Sequence, residues 1–328
     1  MKTATSIVKL FLFFVLFISC KKEKTTIQAN TTQKQNSKTI EYTFNDGITQ
    51  IPVKLNNPPQ RAAVFNPYMT EMLLALGLED RMVMGSTEGA ILPEFEKAYA
   101  KVPHKQIGHS FRITKEAFLL MKPDFVSGDD DIKPETTGSV EDLIKAGVAP
   151  FIPQSRRVEN ATMEDVYDDF LELGKIFDVQ DKAKTLVKNM KDKLEAARKT
   201  FKNKPDSEKP KVMIMTSFNN GIWISSSLAT DIINKANGKA VYEDVSTSYE
   251  LVTFESAVHR NPDFIFLADI QSRGMSLKEK IDLMKNHPIL KNINAVKNNK
   301  IYQISLADVT PGVRNVDFII KMNELIYK

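Results

Sequence analysis

The chain has 328 residues, a formal net charge of +4, four histidines and one cysteine. A single cysteine excludes an intramolecular disulfide, and four histidines leave few members for a nucleophilic triad or a His-rich metal cluster. Without Lys2, Lys9 and the five Lys and one Glu of residues 21–39 the remainder carries −2, so no clustered basic face points to nucleic acid.

Lys2 and Lys9 precede an apolar run over residues 10–18 that closes on Ser19-Cys20. A membrane-spanning helix needs about 20 apolar residues, so this run predicts a signal-peptide core within residues 1–19 and not a span. The lone Cys20 after a small residue resembles a bacterial lipoprotein cleavage site, with Phe17 where the commonest form has Leu. That resemblance implies lipidation of Cys20 and a place in the cell envelope, anchored to a bacterial membrane and facing the periplasm or the exterior. Residues 20–57 are expected to be the lipidated cysteine and its tether. Residues 21–39 in particular are rich in Lys, Thr, Gln and Asn and bury too little to offset their ordering entropy.

Beyond the tether, strand and helix alternate, which predicts an α/β fold. In an N-terminal lobe over residues 58–179, residues 61–65 read as a strand. Asn66-Pro67 then starts a helix that Leu76-Gly77 closes. Further strands are expected over residues 81–85, 124–128 and 150–153. Residues 180–202 carry apolar side chains at three- and four-residue spacing with no Gly or Pro. They predict a linker helix of about 35 Å within residues 180–203, a stiff connector between lobes. The C-terminal lobe, residues 204–328, is expected to hold strands at 211–216, 263–268 and 300–304 and a helix over 225–236.

One phrase occurs twice. Thr114-Lys115-Glu116 is followed after six residues by Pro123-Asp124-Phe125-Val126, and Thr253-Phe254-Glu255 by Pro262-Asp263-Phe264-Ile265 at the same distance. Each reads as a Thr-capped helix with an acid in its first turn, a proline stop and a strand buried on both faces. The repetition predicts two similar Rossmann-like lobes with mainly parallel sheets, joined by the single long helix, and places Glu116 and Glu255 at equivalent points.

These segments, in this order, resemble class III periplasmic binding proteins of the iron-siderophore, haem and cobalamin type, the receptors of ABC importers. The resemblance runs from Arg61 onward through residues 66–80, the two repeated phrases, Lys145-Ala146-Gly147-Val148-Ala149-Pro150, Met163-Glu164-Asp165-Val166-Tyr167 and Pro311-Gly312-Val313-Arg314. It implies a monomeric receptor that captures a small-molecule metal chelate between its lobes. It also implies partners in the permease and ATPase subunits of an importer, with Glu116 and Glu255 docking into basic pockets on the two permease subunits. No cofactor of its own is expected; the ligand is an iron chelate, cobalamin or haem.

The ligand cleft is expected at the carboxyl ends of the strands. Tyr68, Asp129, Asp130, Trp223, Tyr249, Asp308 and Arg314 are the candidate ligand-binding residues. Trp223 and Tyr249 fall where relatives carry aromatics that stack on large flat ligands. Arg314 sits at a helix N-terminus, where a cation opposes the dipole, which points to an anionic partner. Asp129-Asp130-Asp131 stands where relatives often have an aromatic; it would repel a tricatecholate and tolerate a neutral hydroxamate complex or cobalamin. Tyr68 and Tyr249 are candidate haem ligands. A tetrahedral oxyanion at helix N-termini is a further option, and a sensor or scavenger without an importer is the alternative of another class. His104 and His109 read as surface residues, and no metal site is expected. No nucleophile elbow, Walker loop, dinucleotide fingerprint or zinc-binding helix is present, so an enzyme is not expected.

Overall fold

The computed structural model describes residues 39–87, 90–107, 113–129, 132–218, 220–268 and 276–328, which belong to one compact unit. It opens with an antiparallel hairpin, β1 (Ile40–Asn45) and β2 (Gln50–Leu55), where the sequence predicted tether up to residue 57. Alternation explains the difference: Ile40, Tyr42 and Phe44 all point to one face and are buried. The Tyr42 hydroxyl donates to the Pro150 carbonyl at 2.6 Å, and Asp46 closes the turn by accepting from the Ile48 and Thr49 amides. The tether expectation therefore applies to residues 20–38 alone, which lie outside the described residues together with Cys20.

The first lobe continues through β3 (Ala62–Val64), α1 (Pro67–Ala75), β4 (Met82–Thr87), α2 (Glu96–Ala100), β5 (His104–Ile107), α3 (Lys115–Leu120), β6 (Phe125–Ser127), α4 (Val140–Lys145), β7 (Ala149–Phe151) and the single turn α5 (Gln154–Arg157). Its sheet has the order β5-β4-β3-β6-β7, parallel throughout, the doubly wound arrangement. His104 is exposed, as expected, but on a strand.

Helices α6 (Met163–Ile176) and α7 (Gln180–Arg198) lead to the second lobe. That lobe holds β8 (Lys211–Phe218), β9 (Ile222–Ser225), α8 (Leu228–Lys235), β10 (Lys239–Ala240), β11 (Tyr249–Val252), α9 (Phe254–Arg260), β12 (Phe264–Ala268), α10 (Leu277–Asn286), α11 (Asn294–Lys297), β13 (Ile301–Ile304) and α12 (Arg314–Ile326). Its order is β11-β9-β8-β12-β13 with β10 on β8, and β9 runs antiparallel to both neighbours. The helix predicted from 225 begins at Leu228 because Ser225 ends β9.

Neighbouring residues on the central strands face opposite layers. Val212 and Ile214 join the apolar cluster that runs from the hairpin along α6, α7, α8 and α12; Met213 and Met215 join a second cluster on the other face. A strand buried on both faces has no polar side to show, which is why these segments read as unbroken apolar runs. The linker α7 is 19 residues, about 28 Å, and lies packed against α6 and α12 through Ala183, Val187, Met190 and Leu194. It stops before residue 202 because the chain turns to pair with α12: the Lys202 amide donates to Asn323 Oδ1 at 3.2 Å, and Asn323 Nδ2 donates back to the Lys202 carbonyl at 2.9 Å.

The repeated phrase is a repeated backbone device. Thr114 caps α3 at φ −75°, ψ 159°, and Thr253 caps α9 at φ −76°, ψ 159°. The residues before the two prolines, Lys122 and Asn261, sit in the left-handed region at φ 47° and 46°, so each helix ends on a reversed residue and not on the extended one that proline alone predicts. The Asp of each Pro-Asp then ties down the start of the neighbouring central strand. Asp124 accepts from the Gln60 and Arg61 amides at 2.8 and 2.7 Å, and Asp263 accepts from the Lys211 amide at 3.0 Å.

Candidate functional site

Strand ends and short helices bring four side chains together where the lobes meet. Tyr68 starts α1, Asp129 follows β6, Arg156 rides on α5, and Tyr249 begins β11 of the second lobe. The Tyr68 hydroxyl donates to Asp129 Oδ1 at 2.6 Å. Arg156 gives Nε and Nη2 to Asp129 Oδ2 at 3.1 and 2.9 Å. Its guanidinium carbon lies 5.7 Å from the Tyr68 ring and 5.4 Å from the Tyr249 ring, so a cation from one lobe stands between aromatic faces from both.

The electrostatics follow from burial. Burial first, then the Asp129 charge, raises the Tyr68 phenol well above its ordinary value, so it stays protonated. Burial opposes the charge on Arg156, but Asp129, with the two tyrosines, outweighs it and holds the guanidinium ionised.

A second link joins the lobes. Arg314, at the start of α12, gives Nε to Glu71 Oε2 at 2.7 Å and Nη2 to Glu71 Oε1, and also reaches the Ala90 carbonyl at 3.0 Å. Glu71 is on α1, one turn beyond Tyr68. Arg314, expected among the ligand-binding residues, is here paired with a buried carboxylate of the other lobe.

Asp308 is turned back on its own turn: its carboxylate accepts from the Ser305 amide at 2.9 Å, and burial raises its pKa against the pull of that amide and of Arg314. Trp223 on β9 stands opposite Leu251 on β11, and the register puts both on the sheet face that carries Tyr249. Trp223 and Leu251 are 43% and 46% exposed. They extend the wall that Tyr249 turns toward Arg156. Asp130, Asp131 and His109 lie outside the described residues. Glu116 and Glu255 are exposed in the first turns of α3 and α9; the Glu116 pKa is lowered by its own backbone N–H and the Thr114 hydroxyl. Among the described residues no group of three or more His, Cys, Asp or Glu is placed to hold a metal ion.

Sequence reasoning missed Arg156 and Glu71. Arg156-Arg157 follows Pro153 in a segment with no periodicity, and Glu71 looks like one more polar position of α1. Glu71 had one signal: it follows Tyr68 by three residues, which puts both on one face of a helix.

The family model for "Periplasmic binding protein" matches residues 63–305. The chain belongs to this family. It is 25% identical to the uncharacterized ABC transporter substrate-binding lipoprotein YvrC of Bacillus subtilis, over 92% of this chain and 90% of that protein. It is 23% identical to the petrobactin-binding protein YclQ of the same organism, over 89% and 88%. A periplasmic binding protein from Veillonella parvula, solved by crystallography, superposes with a TM-score of 0.76 at 27% identity, covering 88% of this chain and 98% of that one. The class expected from the resemblance is thus met in family and in fold, and its relatives are substrate-binding transport proteins. No described helix is long and apolar enough to cross a membrane.

Proposed function

We propose that the protein is the substrate-binding lipoprotein of an ABC importer, anchored through Cys20, which captures an iron-siderophore-type chelate between its lobes and delivers it to the permease. The observation that carries this reading is the cleft cluster: Arg156 between Tyr68 and Tyr249, continued by the exposed Trp223 and Leu251. Aromatic and apolar faces with one oriented cation suit a bulky chelate with an apolar rim. Asp129 neutralises Arg156, and Asp130 and Asp131 follow it in sequence, a balance that favours a neutral chelate over a tricatecholate. A neutral ferric hydroxamate fits that balance. Haem coordination through Tyr68 is disfavoured, because its hydroxyl donates to Asp129 and is held protonated. Cobalamin is the second reading, favoured by the same flat Trp223 surface.

Trp223 is the only tryptophan and reports on the cleft. Its fluorescence is followed while a ferric trihydroxamate, a ferric tricatecholate, cyanocobalamin and haemin are titrated separately. Saturable quenching by the trihydroxamate and none by the tricatecholate is expected. Saturation by haemin or cyanocobalamin alone would replace the siderophore reading.

A further inference from the structure

Asp169 lies on α6, behind the cleft, and is only 3% exposed. Its carboxylate receives the first two amides of α5, Gln154 at 2.5 Å and Ser155 at 3.1 Å, and the Ser155 hydroxyl as well. α5 is a single turn of four residues, too short to be stable by itself. The residue that follows these two donors is Arg156, whose guanidinium forms the cation of the cleft. Asp169 therefore holds the turn that presents Arg156, without touching the cleft.

Charged neighbours reach this carboxylate from each side. From α5 comes Arg157, whose charge acts on Asp169. α6 adds Asp165, which accepts from Gln154 Nε2 at 3.1 Å, and Glu172, which with Asp46 of the hairpin turn acts on Arg157. Tyr42 and Lys175 line a surface groove together with Gln154, Arg157 and Glu172. Burial is the largest influence and pushes the Asp169 carboxyl up to about 7, against the Ser155 and Gln154 donors and Arg157.

We propose that Asp169 is a positioning residue for Arg156, gripping α5 when ionised and loosening it when protonated. A carboxylate accepts from all three donors. A protonated carboxyl turns one oxygen into a donor and withdraws the negative charge from the first turn of α5. Arg156 then depends on Asp129 and the two rings alone. The grip has a cost in stability. With its folded value above the ordinary 3.8, the group stabilises the fold at acid pH, and that contribution is lost as pH rises through about 7.

The inference rests on the reading of the cleft as the ligand site, yet its main test needs no ligand. In ligand-free protein, NMR follows the Asp169 carboxyl carbon and the Arg156 Nε–H from about pH 5 to about pH 9, clear of ordinary carboxylates and phenols. Both signals should titrate with one midpoint. Asp169→Asn should abolish the titration at Arg156 and flatten the fall in melting temperature with rising pH. Ser155→Ala, which removes one donor to the carboxylate, should move both midpoints up. An Arg156 signal that stays flat while Asp169 titrates, or that titrates unchanged in Asp169→Asn, would overturn the proposal. With a ferric trihydroxamate as probe, wild-type Kd should weaken several-fold on acidification through the midpoint, and the Asn variant should show no such dependence. If neither that chelate nor cyanocobalamin nor haemin binds while Arg156 still titrates with Asp169, the ligand reading falls and the positioning role stands.

Discussion

Thr114 and Thr253 cap their helices at ψ 159° in both lobes, Lys122 and Asn261 reverse the chain at φ 47° and 46°, and Asp124 and Asp263 each pin the start of a central strand. The surfaces around these matched backbones do not match. Three and four residues after Glu116, on the same helical face, Leu119 and Leu120 are 56% and 80% exposed. The equivalent places after Glu255 hold a half-buried Val258 and an exposed His259. The first sheet is parallel throughout, while the second adds β9 and β11 in antiparallel pairing, and that pair sets Trp223 and Tyr249 on one sheet face. Backbone devices repeat because each lobe must solve one folding problem, ending a short helix and starting a buried strand. Exposed faces diverge because nothing in folding constrains them, so what they share is informative. Both helix starts share an exposed glutamate.

The largest effect on transport is expected from removing that shared feature. Glu116→Ala with Glu255→Ala should leave ligand affinity unchanged, since neither residue is among those that meet in the cleft. Uptake by the cognate importer reconstituted in vesicles should fall roughly a hundredfold, if each charge-assisted contact is worth about tenfold. Reversal to Lys should be worse than Ala. Normal uptake by the double variant would reduce both acids to first-turn residues that serve their helices.

The next effect concerns the bond between the lobes. Glu71→Ala leaves the Arg314 guanidinium, 14% exposed, without its carboxylate. Removing one partner of a buried pair typically costs about 3–5 kcal/mol. A chemical denaturation curve should show a loss on that scale, and Glu71→Met with Arg314→Leu should recover most of it. An unchanged midpoint for the single variant would show that the apolar layer of α6, α7, α8 and α12 and the Arg156 contact hold the lobes without help from this pair.

The repeated phrase, the alternation of strand and helix, and the linker helix were legible in sequence because each is set by local rules: a capping side chain, a proline, a period. The cleft was legible only in part. Tyr68 and Asp129 were placed by their position after strands and Tyr249 by the family resemblance, and the structure brings the three together. Arg156, Glu71 and Asp169 were not found, because their roles are made by partners 27, 243 and 14 residues away. The hairpin was missed for another reason. Its two short strands follow a polar stretch, and only their pairing gives Tyr42 and Phe44 a face to bury.

The smallest predicted effect sharpens the contrast between two aromatic residues of one sheet face. Trp223 and Tyr249 share one sheet face, but they differ in surroundings: Trp223 is exposed beside Leu251, whereas Tyr249 has the Arg156 guanidinium over its ring at 5.4 Å. A free aromatic surface is available for stacking on a ligand, and an occupied one already serves the protein. Trp223→Ala should therefore weaken binding of the chelate by about 1–3 kcal/mol while leaving the melting temperature of the free protein unchanged. Tyr249→Ala should weaken binding less and lower the melting temperature, because it uncovers one side of a buried cation. Tyr249→Phe keeps the ring and should restore both. Isothermal titration with the quenching chelate, together with thermal melts, separates the cases. If Tyr249→Ala costs more affinity than Trp223→Ala with no loss of stability, the ligand displaces Arg156 from the ring on binding, and the cation is part of the contact surface and not part of the wall.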